Sequence, residues 1–356
     1  MITNKIINSQ NLDIKNIISN NFEWKKLSGK RVLVTGVSGF VGGYIARVLL
    51  AINKRSILNK QIKVVGMVRK KFNSRDRLSD IINNQNFKLF KWDLNNVSIP
   101  KIGHCDYIIH AASLASPKFY NKDPLGTLLP NTIGTETLLR AQKNQTKNPK
   151  GFLFVSSGEV YGSNKKQKRL RENDYGIVDP TLVRSCYSEG KRLGENLCIA
   201  WSHQYKMPTY VVRLFHTYGP GLSLKDGRVF TDFVSDVINK KNIQMNSLGD
   251  QKRAFCYISD AIAGIFLVLL NGKTASPYNI GNPYGTMTIL ELAQMLIKLY
   301  PEKNIKIIKN LKKNKNYLKS TFDNVVPNIS KIISLGWKPK IRPEVGFRKM
   351  IEAYLK

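Results

Sequence analysis

Glycines at positions 36, 39 and 42 follow directly on the apolar run Arg31-Val32-Leu33-Val34-Thr35 and lead into a second apolar stretch, residues 44–50. A buried strand that turns through glycine into a helix is a narrow structural demand. The G-x-x-G-x-x-G spacing lets the backbone turn tightly, admits a pyrophosphate close to the main chain and packs the helix against the strand. Thr35 stands where its hydroxyl can brace the turn. A plain glycine turn satisfies the spacing alone, but the flanking strand and helix favour dinucleotide binding. In that reading Gly36, Ser38, Gly39, Phe40, Val41 and Gly42 line the pyrophosphate site.

Further apolar runs recur at 63–68, 88–92, 107–111, 152–156 and 209–214, with helical segments between them. This alternation predicts an α/β fold with a Rossmann-type doubly wound parallel sheet, covered on both faces. After Gly219-Pro220-Gly221 the pattern is less regular. Helices are expected at 230–239, 260–270 and 290–300, as in a smaller, partly interleaved α/β substrate domain. The expected division is an N-terminal extension at 1–28, a dinucleotide-binding domain at 29–213 with about 256–281, and a substrate domain at 214–255 and 282–356. Residues 12–24 are weakly periodic and read as one helix lying across the main body; residues 310–319 read as a solvated loop.

Lysine and arginine total 57 against 24 acidic residues, a net charge of +33 that raises the question of a polyanionic partner. The basic residues are dispersed, and only 165–171 and 312–319 approach clusters. General surface charge is the favoured reading, attraction of an anionic metabolite the second and nucleic-acid binding the least favoured. Cysteines 105, 186, 198 and 256 are too few and too scattered for a disulfide framework or a CxxC metal site. Free, mostly buried thiols in a reducing compartment are expected, with no metal. The longest apolar run, 262–270, contains a glycine and is too short to cross a bilayer, so a cytoplasmic protein without membrane attachment is expected.

Tyr187 and Lys191 are four residues apart, which on a helix puts both side chains on one face. There a lysine ammonium can lower the phenol's pKa and make it a base for a hydroxyl proton during hydride transfer. Upstream, Phe154-Val155-Ser156-Ser157-Gly158-Glu159 leaves the fifth strand with a hydroxyl and a carboxylate two residues apart. At the end of the second strand, where an NAD+ site usually places a carboxylate, stand Arg69 and Lys70. They suit a 2′-phosphate, so NADP+ stands beside NAD+, with an exposed basic strand end as the equal alternative. Asp93, followed by Leu94, ends the third strand, where it can accept from an adenine amino group or merely cap a turn. In His110-Ala111-Ala112 the alanines leave room for a ring, and His110 reads as a packed structural residue.

Further stretches follow in order: Ala115-Ser116-Pro117 with Tyr120 and Pro124, Asn131-Thr132-Ile133-Gly134-Thr135, Arg184 to Arg192, Thr217-Tyr218-Gly219-Pro220, Lys225-Asp226-Gly227-Arg228-Val229, Arg253-Ala254-Phe255-Cys256-Tyr257-Ile258-Ser259-Asp260 and Asn279-Ile280-Gly281-Asn282-Pro283. With the glycine turn and Tyr187/Lys191, this series resembles the extended short-chain dehydrogenase/reductases, the NAD-dependent epimerase/dehydratase family, over residues 30 to about 345. Within that family it is most similar to UDP-glucuronate decarboxylases, also called UDP-xylose synthases.

The resemblance implies a nucleotide-sugar substrate, bound by the second domain, and a retained nicotinamide cofactor. It implies that Ser157 bonds the C4 oxygen, Tyr187 takes the C4 hydroxyl proton, and Lys191 lowers the tyrosine's pKa and holds the nicotinamide ribose. The 4-keto sugar then lets a C5 carboxylate leave as carbon dioxide before the ketone is reduced by the same cofactor. Glu159 is placed near C5 or C6 as an acid/base or water-positioning group, or simply orders its loop. Ser116, His216, Arg228 and Arg253 are the expected substrate contacts, the arginines at the diphosphate or else in surface salt bridges, His216 at the sugar or else in packing. Asp260 is expected to cap a helix. A homodimer through helices at 125–143 and 187–203 is implied as well.

Three positions depart from the pattern. Gly158 replaces the serine of the decarboxylases and the aspartate of the 4,6-dehydratases, His216 replaces an asparagine and Gly221 an arginine. Gly158 supplies no acid to a departing hydroxyl, which argues against 4,6-dehydration unless Glu159 substitutes. The alternatives to a decarboxylase are a 4-epimerase or a dehydratase and, from another class, a non-catalytic dinucleotide- and RNA-binding protein.

Overall fold

The computed structural model describes residues 3–70, 77–163, 169–309 and 324–355. The basic run 312–319, the expected loop 310–319 and residues 165–168 of the other basic run lie outside them. Strands of the first half are β1 (Arg31–Thr35), β2 (Lys63–Val68), β3 (Phe87–Lys91), β4 (Tyr107–His110), β5 (Gly151–Ser157) and β6 (Thr209–Leu214). Those of the second half are β7 (Thr217–Tyr218), β8 (Ile243–Met245), β9 (Lys252–Ala254), β10 (Cys256–Tyr257), β11 (Pro277–Ile280), β12 (Thr286–Thr288), β13 (Ile307–Lys309) and β14 (Asn324–Val325). The helices are α1 (Asn4–Ile18), α2 (Phe40–Ile52), α3 (Lys118–Lys122), α4 (Pro124–Leu128), α5 (Ile133–Gln145), α6 (Cys186–Tyr205), α7 (Val229–Ile238), α8 (Ile258–Asn271), α9 (Ile289–Leu299), α10 (Ser330–Ile333) and α11 (Pro343–Tyr354).

Seven strands form one parallel sheet in the order β11-β6-β5-β4-β1-β2-β3. Its central strands are buried along almost their whole length, as continuous Val, Leu, Ile and Phe runs require when both faces are covered. The strand order reverses between β1 and β4, and in such sheets the crevice at that reversal takes the ligand. Smaller sheets accompany it: β12-β9-β14, the β7/β10 pair and the β8/β13 pair. α8 is buried on every side, as expected of a helix that is apolar all round. α9 begins with a capping box in which Thr288 and Glu291 satisfy each other's backbone N–H groups. Among the described residues no helix is long and apolar enough to cross a membrane. All four cysteines are free thiols, three of them buried.

Some boundaries differ from expectation. The leader helix runs over Asn4–Ile18 and not 12–24, because Thr3 caps it and residues 19–23 break it before a short 3-10 turn at Trp24–Leu27. Residues 125–143 are not one helix, since Pro130 and a 3-10 turn at Leu129–Asn131 separate α4 from α5. Asp260 is no N-cap. It lies inside α8, and its carboxylate accepts the backbone N–H groups of Lys340 at 3.0 Å and Ile341 at 2.9 Å.

α1 is fastened by Asp13, fully buried, which accepts from Tyr257 Oη at 2.8 Å, Lys349 Nζ at 3.2 Å and Tyr44 Oη at 3.3 Å. Burial raises the pKa of this carboxyl, while Lys349 and the two tyrosines oppose the rise. Asp13→Ala leaves those donors in the interior without an acceptor and is expected to lower unfolding stability by about 3 kcal/mol, read from urea denaturation.

Candidate functional site

The glycine turn closes over the end of β1. Gly36 has φ +65°, and a Cβ there would lie 2.7 Å from the Ala112 Cα, so only glycine lets the turn pass this close to the end of β4. Gly39 is the N-cap of α2 and offers no side-chain cap, so the first N–H groups of that helix remain available to an anion. Thr35 does brace this region: its hydroxyl accepts the Ala112 N–H at 3.1 Å and meets His110 Nδ1 at 2.7 Å. His110 Nε2 donates to the Pro130 carbonyl at 2.9 Å, which leaves Nδ1 as acceptor. Burial, with the nearby Lys191, pushes the His110 pKa down to about 3. It is a neutral packing residue.

One cavity of about 720 Å³ runs from this turn to the small sheets, a volume suited to a cofactor and a substrate together. Its wall includes Gly36, Ser38, Gly39, Phe40, Val41, Gly42, Arg69, Asp93, Leu94, Ala111 and Ala112 at the dinucleotide end. Ser157, Glu159, Tyr187 and Lys191 line its middle, and Ser116, His216, Arg228 and Arg253 its far wall. Every residue given a catalytic or binding role in the sequence, Lys70 excepted, therefore faces one space. The uncapped helix and the close-packed glycines fit a dinucleotide pyrophosphate.

α6 brings the reactive pair to β5. Its buried face carries Tyr187, Lys191, Glu195 and Cys198, a helical repeat with polar groups turned inward. Lys191 Nζ donates to the Val155 carbonyl at 2.6 Å and lies 4.7 Å from the Phe154 ring centroid. Tyr187 stacks on Tyr120 at 5.2 Å and 15°. Ser157 accepts the Glu159 N–H at 3.2 Å, and its hydroxyl is near enough to Tyr187 to favour the phenol's charged form. The expected lysine effect on the phenol is not what the structure has. Burial, reinforced by Glu159, pushes the Tyr187 pKa up, and the groups that oppose the rise are Ser157 and Arg228. Lys191 is itself depressed to about 7 by burial, so its charge is weakest where the phenol would need it.

Spacing gave no sign of two neighbours of this site. Arg184, one turn before Tyr187, reaches Glu159 Oε2 at 3.5 Å and stands 5.7 Å from the Tyr120 ring centroid. Ser188 Oγ donates to the same carboxylate oxygen at 3.4 Å. Long-range ion pairs and ring stacks leave no periodic trace in a sequence. On the far wall, Arg228 pairs with Asp226, and Arg253 donates to the Lys252 carbonyl at 2.8 Å and to Gln251 at 3.1 Å. Ser116 donates to the Asp226 carbonyl. Asp93 accepts the Asn95 N–H at 3.0 Å and so caps its turn while facing the cavity.

The three departures have physical causes. A Cβ on Gly158 would lie 2.8 Å from the Phe215 ring, so that ring fills the place of a side chain. Gly221, at φ +92°, is occupied from α1: a Cβ would meet Gln10 Nε2 at 2.3 Å, and Gln10 donates to the Pro220 carbonyl at 3.2 Å. His216 has φ +31° and a buried Nδ1 with no hydrogen-bond partner among the described residues. Burial, then Arg253 and Arg228, hold its pKa well below the ordinary value, so it is a neutral imidazole on the cavity wall whose Nδ1 is enclosed.

Two tests follow from this geometry. Gly158→Asp is expected to lose about 1–3 kcal/mol of stability through overpacking against Phe215, measured by denaturant unfolding. Lys191, depressed from 10.5 to about 7, binds its proton less tightly folded than unfolded. The unfolded chain therefore holds more protons between about pH 7 and 10.5, and stability of the cofactor-free protein rises with pH across that window. Lys191→Met is expected to flatten that rise; an unchanged slope in urea titrations would contradict the assignment.

Comparison with known proteins identifies the family. The model of the NAD dependent epimerase/dehydratase family matches residues 32–281. UDP-glucuronic acid decarboxylase 6 of Arabidopsis thaliana is 34% identical over 329 residues, 92% of this chain and 89% of the plant protein. UDP-glucuronic acid decarboxylase 1 of Danio rerio is 33% identical over 91% of this chain and 72% of its own length. Among solved structures, UDP-glucuronic acid 4-epimerase from Bacillus cereus, in complex with UDP-glucuronic acid and NAD, is 25% identical with a TM-score of 0.74, covering 91% of this chain and 98% of its own. With its parallel sheet, its glycine turn and a tyrosine–lysine pair on one cavity, the chain belongs to the NAD dependent epimerase/dehydratase family.

Proposed function

We propose that the protein is a nucleotide-sugar lyase of the UDP-glucuronate decarboxylase type, which works through C4 of the sugar. The observation that carries this reading is the convergence of Ser157, Glu159, Tyr187 and Lys191 with two arginines, Arg228 and Arg253, on the cavity that begins at the glycine turn. It is supported by the named activities of the similar decarboxylases and by the UDP-glucuronic acid held by the similar epimerase. A nicotinamide dinucleotide, which Gly36, Gly39 and the first turn of α2 would hold, would supply a hydride acceptor for C4 and a hydride donor for the later ketone, so net redox change would be zero.

The protein's own groups do the rest. Ser157 holds the C4 oxygen, and Tyr187, once its own phenol proton has passed to the neutral amine of Lys191, takes the C4 hydroxyl proton as a phenolate. Proton loss from the phenol favours a charged Lys191, because opposite charges in a dry pocket stabilise each other. With a ketone at C4, the C5–carboxylate bond breaks, carbon dioxide leaves and the electron pair moves onto the C4 oxygen. Glu159, fixed by Arg184, serves C5, where one proton replaces the carboxylate. Arg228 and Arg253 engage the diphosphate through paired N–H groups.

A 4-epimerase uses the same first step and differs in returning hydride to the other face. Dehydration is disfavoured, because Phe215 fills the position from which residue 158 would deliver a proton. The reading includes residues 29–213 with about 256–281 as the dinucleotide-binding domain, 214–255 with 282–356 as the nucleotide-sugar domain, and a cytoplasmic location. It also includes a homodimer through residues 125–143, which span α4 and α5, and α6; Leu125 and Leu193 are exposed there.

Incubation with UDP-glucuronate is expected to yield carbon dioxide and UDP-xylose in equal amounts. Tyr187→Phe should lower that turnover by roughly 10²–10⁴-fold with the fold intact by circular dichroism. Formation of UDP-galacturonate without carbon dioxide would select the epimerase instead.

A further inference from the structure

β2 delivers Arg69 to the cavity wall at the dinucleotide end, and Arg77 returns to the same wall. Arg69 is exposed and has no ion-pair partner among the described residues. Arg77 stands on a built support. The buried Arg47 donates to its carbonyl, forks onto Asp80 at 2.8 Å and 2.6 Å, and donates to the Gly43 carbonyl at 3.1 Å in the first turn of α2. The backbone bearing Arg77 is therefore tied to the helix whose N-terminus faces the pyrophosphate position.

Carboxylates on the described cavity wall are Asp93, Glu159 and Asp226. Glu159 is engaged by Arg184 and Asp226 by Arg228, while Asp93 stands at the end of β3 and caps its own turn. None is contributed by the end of β2, where a free ribose 2′-hydroxyl would call for an acceptor. The guanidinium of Arg69 stands there instead, and Arg77, whose charge also reaches Tyr354 of α11, lines the same cavity. A guanidinium has only donors and matches a phosphate through two parallel hydrogen bonds, whereas it gains little from a hydroxyl that water serves as well.

We infer that the adenosine end of this site is built for a 2′-phosphate, so that the protein selects the 2′-phosphorylated nicotinamide dinucleotide, with Arg69 and Arg77 as its ligands. The inference rests on the reading of the glycine turn as a dinucleotide site. It departs from the cofactor named in the family's description.

Calorimetric titration of nucleotide-stripped protein with NADP+ and NAD+ tests it, beside mass spectrometry of the nucleotide released from freshly purified protein. NADP+ is expected to bind about 10- to 100-fold more tightly than NAD+, with the gap narrowing as salt is raised. Arg69→Ala should remove about tenfold or more of the NADP+ affinity and lower NAD+ affinity by much less, and Arg69→Asp should reverse the preference. NAD+ binding equal to or tighter than NADP+ in the unaltered protein, or NADP+ affinity indifferent to both substitutions, would overturn the inference and leave the dinucleotide reading standing. Binding of neither nucleotide would bring down both.

Discussion

The Glu195–Arg213 ion pair holds the reactive helix on the sheet. Arg213, near the C-terminal end of β6, donates to both oxygens of Glu195 on α6 at 2.7–3.2 Å, and Ser156 of β5 donates to the same carboxylate at 2.5 Å. From Arg213 the bonding continues to Tyr161 Oη at 2.9 Å, and from Tyr161 to Asn279 of β11 at 2.6 Å. Three neighbouring strands and the helix thus meet in one buried polar network. A buried pair of this kind contributes little net stability over an apolar packing, but removing one partner strands the other at about 3–5 kcal/mol. Its value here is geometric: it fixes the height and rotation of α6, and one turn earlier on the same face Lys191 meets Val155.

That placement creates the electrostatic situation of the site. Tyr187 and Lys191 are both taken out of water, so burial acts against the charged form of each, raising the phenol and lowering the ammonium. Neither group carries a charge cheaply in this pocket, and each becomes easier to charge when the other does. In the proposed reaction, a proton leaving the sugar hydroxyl for the tyrosine's oxygen is therefore coupled to the state of the lysine, which is useful for a base that must give its proton back. Arg184 and Glu159 extend the same arrangement towards the sugar position, and Tyr120 fixes the tyrosine ring from the other side.

Much of this arrangement is legible in the amino-acid sequence. The glycine turn and its flanking strand, the alternation of apolar runs and the four-residue step from Tyr187 to Lys191 are local patterns, and local patterns survive in one dimension. What stays hidden depends on residues far apart in the chain. Nothing near Asp260 announces that its carboxylate serves backbone groups at 340 and 341. Nothing near Gly221 announces that Gln10 fills its missing side chain, or near Gly158 that the Phe215 ring does so. The expected influence of Lys191 on Tyr187 rests on charge alone, and it misses the larger effect of burying both groups together.

The central claim is that C4 is oxidised and then reduced at one site without exchange with solvent. UDP-glucuronate carrying deuterium at C4, incubated with the protein in ordinary water and followed by NMR of the product, tests this most directly. The account predicts deuterium retained at C4 of UDP-xylose and one solvent hydrogen at C5. Product that has lost its C4 label to water, or that acquires no solvent hydrogen at C5, would contradict it.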